Sequence, residues 1–438
     1  MIADKFKVIA LLALLVGILF LEGCGKTNTE QQAQGAKQDK EVVTFVNWVS
    51  VEEGTRDQIK DVIAAFEREN PNIKVDVKPI PVSDIQNQLS IMVAGGNAPD
   101  IAQIQADGVI TLASMDALEP VDNLLPSDFI QDFHQSLYNA GLFKGKHYSI
   151  PWAPTGPGFL YNKKLMQQAG LDPNKPPQTI EELNQDLKLA KEKLPKEVVL
   201  LQLDTTIRTV GLMHEWPFMR AFGALPVDGN KVQVNSPEMQ AYAEWLRNLF
   251  KNGYSLPGKK FGDFRPLAAQ NRLLFGVDGP YVVGILKSLN KSLTDKEIND
   301  TWGITAIPAG KDGKHYAAPE QHGLVIFKSS KHKAAAAKLA EFLVNSDYAL
   351  SKYIIPVGYV PATKSAVKRF PQVAQDPIRR AFIEKVFPTV VSMPYGPNYT
   401  KIATAIMGGM QEVITTDKPV PEILANVQTK LEGMLSGK

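Results

Sequence analysis

Residues Ser83–Gln105, SDIQNQLSIMVAGGNAPDIAQIQ, decide the fold. Ser83 and Gln86 have capping-box spacing, and Ile85, Leu89 and Met92 recur at the interval of one buried helical face. Gly95 and Gly96 end that helix, Asn97-Ala98-Pro99 makes a turn, and Asp100–Ile104 is too apolar for a strand with one face in water. The pattern predicts helix, tight turn and buried parallel strand. Ligands of open α/β sheets bind beyond the carboxyl ends of strands, so Gln105, Ala106 and Asp107 are expected to look into a cleft.

The flanking sequence repeats this alternation. Val42–Asn47 reads as a strand, Ile59, Val62, Ile63 and Phe66 as one face of a helix that stops at Asn70-Pro71, and Ile73, Val75 and Val77 as a second strand. That order is half of a doubly wound α/β domain. From Tyr148 to Trp152 the chain is extended, and Gly158–Asn162 opens a second lobe. Thr179 and Glu182 form another capping box, Val198–Leu203 a buried strand, and Asp228-Gly229 a hairpin turn. Ser236-Pro237 starts an amphipathic helix that ends at Gly253. Leu273–Val277, Trp302–Ile307 and Gly323–Phe327 are further strands; Ile355–Pro361 is a second extended crossing, and the last 70 residues or so are mostly helical.

The N-terminus carries Lys5 and Lys7, then an apolar run from Val8 to Leu21, then Glu22-Gly23-Cys24. The run suits a signal-peptide core and is short for a membrane span of roughly 20 residues. Cys24 is the only cysteine. Its place after an export core resembles a bacterial lipoprotein signal, with residues 1–23 removed and Cys24 lipidated, although Glu22 stands where that pattern prefers a small or apolar residue. An ordinary signal peptide with an incidental cysteine is the alternative. Residues 25–41, rich in Gln, Lys and Gly, read as a flexible tether. About 400 residues remain, more than one core usually serves, so two lobes are expected. The 44% hydrophobic content supplies their cores, and a net charge of +2 points to no polyanionic partner. With one cysteine no internal disulfide forms, and packing alone holds an exported protein together.

Several motifs then fit one pattern. Phe66–Val75 (FERENPNIKV), Ala94–Asp100 (AGGNAPD), Leu118-Glu-Pro120, Tyr161-Asn-Lys163, Ala169-Gly-Leu171, Pro176–Thr179, Asp278-Gly-Pro-Tyr281 and Gly303–Pro308 together resemble the extracellular solute-binding proteins of ABC importers, in the sugar-binding group that includes maltose-binding protein. The resemblance spans roughly residues 42–438. It implies an α/β, two-lobe periplasmic-binding-protein-like fold with several interlobe hinge crossings: residues 42–152 and 322–356 in one lobe, 153–321 and 357–438 in the other. It also implies ligand in the interlobe cleft, permease subunits as partners, an extracytoplasmic protein anchored to the membrane through Cys24, and no cofactor, metal or nucleic acid.

A neutral sugar offers hydroxyls at its edges and C–H on its faces, so its site needs aromatic planes and fixed polar groups. Trp48, Trp152, Trp216 and Tyr281 stand at expected strand exits or segment ends, whereas Trp245 lies in an amphipathic helix and reads as structural. Each of the four has packing as its alternative, and Trp152 equally suits the hinge. Asp107 falls where the resemblance implies an acidic ligand contact, and a carboxylate accepts two hydroxyl hydrogen bonds; a solvated loop acid is the alternative. Glu52 in the first strand-to-helix loop, Gln105, Glu320, His322 and Tyr359 complete the candidates by position. Ile104 stands where maltose-binding protein has an aromatic, so a different platform is expected. A polyamine ligand in the same fold is the second reading, because aromatic planes with carboxylates also suit cations. A glycan hydrolase is the third: Glu52 with Asp107 is a conceivable acid and base, but no motif supports the pair, and there is no Gly-x-Ser-x-Gly elbow, P-loop or metal-spaced His pair.

Overall fold

A computed structural model describes residues 40–436 except Gly54, Asn230 and Gln321. The expected signal segment, Cys24 and the tether up to Asp39 lie outside the described residues.

Strand β1 (Glu41–Asn47) leads through helix α1 (Arg56–Glu69) to β2 (Ile73–Pro79), and α2 (Ile85–Ala94) leads to β3 (Ile101–Gln105). Helix α3 (Ala106–Ser114) follows β3 with no linker, and β4 (Ile150–Ala153) comes later. The chain continues through β5 (Gly158–Asn162), α4 (Ile180–Lys193), β6 (Val199–Leu201), α5 (Thr209–Ala221) and α6 (Pro237–Lys251). Then come β7 (Leu273–Asp278), α7 (Val282–Leu289), β8 (Trp302–Thr305), β9 (His322–Ile326), α8 (Lys333–Asn345), α9 (Tyr399–Thr415) and α10 (Val420–Leu435).

Beside two short two-stranded hairpins, two main sheets result, ordered β2-β1-β3-β9-β4 and β8-β5-β7-β6. In the first, β1 lies parallel to β2 and β3, with Glu41 opposite Ile73 and Phe45 opposite Ile101. Its other neighbour makes β3 only half parallel, because β9 runs antiparallel to both β3 and β4. A helix crossover within one sheet imposes parallel pairing, whereas β9 returns from the other sheet and is free of that rule. In the second sheet only β6 and β7 are parallel. There β5 shows the period of two expected of a strand with packing on both faces: Phe159 and Tyr161 join the core of α4, α5, α6, α9 and α10, while Leu160 joins Trp302, Ile304 and Phe382. The core of the first sheet runs on through Tyr353, Tyr359, Ala362 and Ala366.

Three local expectations fail for physical reasons. Asp84, not Ser83, precedes α2 and no side chain caps it; Pro81 O accepts from both Asp84 N and Ile85 N, and the Gln86 amide turns instead to Thr111 Oγ1 at 3.4 Å. The expected extended crossing begins late: a helical stretch from Leu350 runs on through Val357, and Gly358 at φ +104°, a conformation that favours glycine, ends it before Tyr359–Pro361. At α4 the box is half realised. Thr179 Oγ1 accepts from Glu182 N at 3.1 Å, but the Glu182 carboxylate takes Gln178 N rather than Thr179 N.

Asp100, in the turn before β3, ties three segments together. Its carboxylate accepts from Thr44 N at 2.8 Å and Ser330 Oγ at 2.5 Å, and its carbonyl accepts from Phe327 N at 3.1 Å. Asp100→Ala leaves Thr44 N and Ser330 Oγ without that acceptor, so urea denaturation should show a loss of about 2–4 kcal/mol, with Asp100→Asn milder.

Candidate ligand-binding site

The cleft is built first from the end of β3. Gln103 is fully buried, and its Oε1 accepts from Trp48 N at 3.1 Å and Val49 N at 3.4 Å, fixing the chain where it leaves β1. Its Nε2 lies 3.3 Å from His322 Nδ1, and His322 pairs with Gln105 in the sheet. From there a line of rings crosses between the sheets: Trp48 to His322 at 4.8 Å, His322 to Tyr359 at 5.4 Å, and Tyr359 to Tyr281 at 5.9 Å. All three contacts are edge-to-face, the edge of one ring against the face of the next. Tyr281 stands in the turn between β7 and α7, and its hydroxyl donates to the Glu320 carboxylate at 3.2 and 3.3 Å.

The second wall uses the carboxyl ends of the parallel pair. Asp278 closes β7 and takes a bidentate bond from Arg265 at 3.0 and 2.8 Å, while the Arg265 guanidinium lies 5.3 Å from the Tyr281 ring. Asp204, just beyond β6, is fully buried and accepts from Thr206, Arg208 and Phe261 N. Each arginine is therefore already matched to an acid. Deeper between the walls, Asp107 at the start of α3 meets Ile110, Met213, Pro319, Met393 and Tyr399 around a cavity of about 40 Å³. That space admits water but no sugar ring. Among the described residues no three metal-ligating side chains come together.

Burial sets the charges. It pushes the Glu320 carboxyl up to about 7, with Asp278 adding to the rise, and it lifts Asp107 and Glu52 above the ordinary carboxylate range. It lowers His322 to about 4, so the imidazole is neutral at physiological pH. In the second core, burial pushes Glu215 up to about 8, where its Oε2 accepts from Tyr242 at 2.6 Å.

The structure thus brings together Trp48, Tyr281, Glu320, His322 and Tyr359, with Gln105 adjacent in the sheet and Glu52 at the exposed rim. Asp107 lies apart, at the cavity. Trp152 is placed elsewhere: it is fully buried inside β4, between Phe45 and Tyr353, and its Nε1 donates to Leu343 O at 3.1 Å. Trp216 is not at a segment end but inside α5, which continues through Pro217. Trp216 packs against Tyr316 and Arg220, with its Nε1 unpartnered among the described residues. Trp245 is structural as expected, donating to Asn184 Oδ1 at 2.8 Å. Gln103, Asp204, Arg208 and Arg265 were not among the sequence candidates; only Gln103, polar in an apolar strand, carried a visible signal.

Two α/β sheets with chain segments passing between them, and aromatic rings meeting across the passage, are the architecture of a binding protein that closes on its ligand. The model of the bacterial extracellular solute-binding proteins matches residues 50–350, and the chain belongs to that family. Among curated relatives it is 24% identical over 385 residues to the maltotriose-binding protein of Pyrococcus abyssi, covering 84% of this chain and 77% of that one. It is 25% identical over 349 residues to the sn-glycerol-3-phosphate-binding periplasmic protein of Escherichia coli (strain K12), covering 74% and 75%. Among solved structures, an ABC transporter solute-binding protein from Thermotoga lettingae bound with alpha-D-tagatose superposes with a TM-score of 0.74 at 25% identity, covering 91% of this chain and 100% of that one.

Two predictions follow from the packing of this region. Gln103→Leu removes the acceptor of Trp48 N and the partner of His322, so ligand affinity by calorimetry should fall about tenfold or more. Stability should fall from pH 6.5 to 8. Glu320 and Glu215 hold protons in the folded state that the unfolded chain has released, so folding weakens as pH rises through their folded values of about 7 and about 8. Below 6.5 the buried neutral His322 acts in the opposite sense, gaining stability as pH rises from about 4 to 6.5. Melting curves of Glu215→Gln should lose most of the decline between pH 7 and 8, and an undiminished decline would contradict the assignment.

Proposed function

We propose that the protein captures a neutral carbohydrate in this cleft and delivers it to the permease subunits of an ABC importer. The observation that carries the reading is the line of rings from Trp48 to Tyr281 running beside the Glu320 carboxylate. Rings accept the C–H faces of a sugar and the acid accepts its hydroxyls. Trp48, Glu52, Gln105, Asp107, Trp216, Tyr281, Glu320, His322 and Tyr359 face or flank the ligand, and Trp152 supports them from behind. The similar proteins named for maltotriose and tagatose support this choice. The relative named for glycerol phosphate fits less well, since Arg208 and Arg265 are already held by Asp204 and Asp278. A polyamine is the second reading, favoured by the same carboxylates beside aromatic rings. No hydrolysis accompanies binding: incubated oligosaccharide should be recovered at full length. Residues 1–23 act as an export signal, and lipid on Cys24 holds a monomer at the outer face of the membrane; Cys24→Ser should release the protein into the soluble extracytoplasmic fraction.

A thermal-shift screen tests the ligand class, using the chain from Gly25 with neutral sugars, putrescine and glycerol phosphate. A ligand at a hundred times its dissociation constant adds about 2.7 kcal/mol of stability. A shift with a sugar, lost in Trp48→Ala and Tyr281→Ala, is expected; a shift with putrescine alone would overturn the substrate.

A further inference from the structure

The outer edge of the second sheet carries a hollow that the proposed function does not use. Strand β8 ends that sheet, and beside it lies a space of about 460 Å³ that shares no lining residue with the interlobe cavity. Its wall takes Tyr161 from β5, Lys163 just after it, Gly303 from β8, and Arg380, Glu384 and Lys385 from a helical stretch packed on the sheet edge. That stretch is α-helical over Pro377–Ala381 and π-helical over Phe382–Val386. An α-helix would turn Lys385 about 140° away from Arg380. The wider π turn leaves both at the hollow, together with Glu384.

Two observations point to a ligand. Tyr161 is 8% exposed, yet its hydroxyl has no hydrogen-bond partner among the described residues, where a buried tyrosine usually finds one. Gly303, opposite it in the sheet, makes room for it: a Cβ there would stand 2.4 Å from the hydroxyl oxygen. Burial raises the phenol above its ordinary value, so the hydroxyl stays a donor. The cations are likewise uncommitted. Lys163 gives one proton to Asn299 O at 2.7 Å and keeps two, while Asp300, the acid that acts on it, is held by Lys296 at 2.6 Å. Burial lowers Lys163 in spite of Asp300, the mark of an ammonium short of negative charge. Neither Arg380 nor Lys385 has an ion-pair partner among the described residues, and the Glu384 carboxylate is the one acid in the wall, so positive charge is in excess there by two.

We propose that this hollow is a second binding site, separate from the cleft, that takes a phosphate monoester. Its free side-chain groups are donors apart from Glu384, so the ligand must accept. A phosphate monoester brings three terminal oxygens and a charge near that excess, whereas a carboxylate brings two oxygens and one charge, and a neutral sugar would leave the cations unmatched. The proposal does not rest on the cleft reading. A soluble phosphate ester and a lipid head group offer this same chemistry, and the test separates them.

The chain from Gly25 is titrated by calorimetry with glycerol phosphate in low-salt buffer, and sedimented with phosphatidylcholine vesicles with and without phosphatidic acid, whose head group is a phosphate monoester. Binding in at least one arm is expected, weakened about tenfold or more by Arg380→Ser with Lys385→Ser and about threefold by Tyr161→Phe. Arg380 and Lys385 are exposed, so the double variant keeps its fold. Lys60→Ser with Lys188→Ser removes the same charge at two exposed positions elsewhere and should leave binding unchanged. Binding of glycerol phosphate assigns the site to a soluble ester, and binding of the phosphatidic acid vesicles alone assigns it to a lipid. No binding in either arm, equal losses in the two double variants, or unchanged affinity in Tyr161→Phe overturns the proposal. Glycerol phosphate binding that survives Arg380→Ser with Lys385→Ser and is lost in Tyr281→Ala belongs to the cleft, and overturns both this proposal and the neutral-sugar reading. Sugar binding that Arg380→Ser with Lys385→Ser leaves unchanged keeps the cleft reading standing whatever the phosphate result.

Discussion

One amide holds fold and site together. Gln103 is a fully buried side chain in the middle of the first sheet, where an unpaired amide would be costly, and both of its ends are used at the cleft. The carbonyl fixes the backbone of Trp48 and Val49, and the amino end meets His322, the first residue of the strand that returns from the other sheet. The same residue therefore sets where β1 ends and where β9 begins. The edge contact between Trp48 and His322 follows from those two placements rather than from any attraction strong enough to make them. Displacing Gln103 would disturb three strands and the first two rings of the line.

The walls of the cleft are unlike in chemistry because the two sheets are unlike in topology. The first sheet meets the passage through the end of β3 and the start of an antiparallel β9, and it contributes rings and a neutral histidine. The second presents the carboxyl ends of a parallel pair, and it contributes Asp204 and Asp278 with an arginine on each. Buried acids of this kind are tolerable only when paired, and the pairing leaves little net charge to oppose closure of the lobes. Glu320 is the exception. Among the described residues its one side-chain donor is the Tyr281 hydroxyl, and burial, with Asp278 nearby, raises its affinity for protons.

The sequence made the alternation of the first half legible because that information is local. Helix α2, the turn and β3 are a run of residues whose periods and breakers suffice, and the resemblance of spaced motifs extended the reading to both lobes. Positions governed by distant partners were not legible. Nothing near Arg265 announces Asp278, thirteen residues on, and Arg208 reads as an ordinary surface cation until Asp204 is seen buried beside it. Trp216 stands directly before a proline, which usually ends a helix, yet Pro217 lies inside α5, whose packing on every side overrides that preference. Trp152 followed the same logic in reverse: its place in an extended crossing suggested the cleft, but alternation along β4 and a carbonyl on α8 draw the ring into the core. The antiparallel β9 escaped because its partner strand lies more than two hundred residues earlier.

Specificity in such a cleft has to come from groups that the folded protein leaves uncommitted. Most polar atoms along these walls are already bonded: Asp204, Asp278, Arg265 and Gln103 all have their partners within the protein. A ligand replacing any of those bonds gains little, since it exchanges one hydrogen bond for another. Uncommitted groups on the second wall are fewer. The Trp216 Nε1 and the Tyr395 hydroxyl, close neighbours, lack a partner of normal hydrogen-bond geometry among the described residues, and Tyr395 stacks on Tyr399, which lines the interlobe cavity. Tyr399 and Asp107 line that cavity, and the two groups without such a partner lie one ring behind it. The matched ion pairs thus leave little net charge on the second wall, and the groups there without partners are neutral.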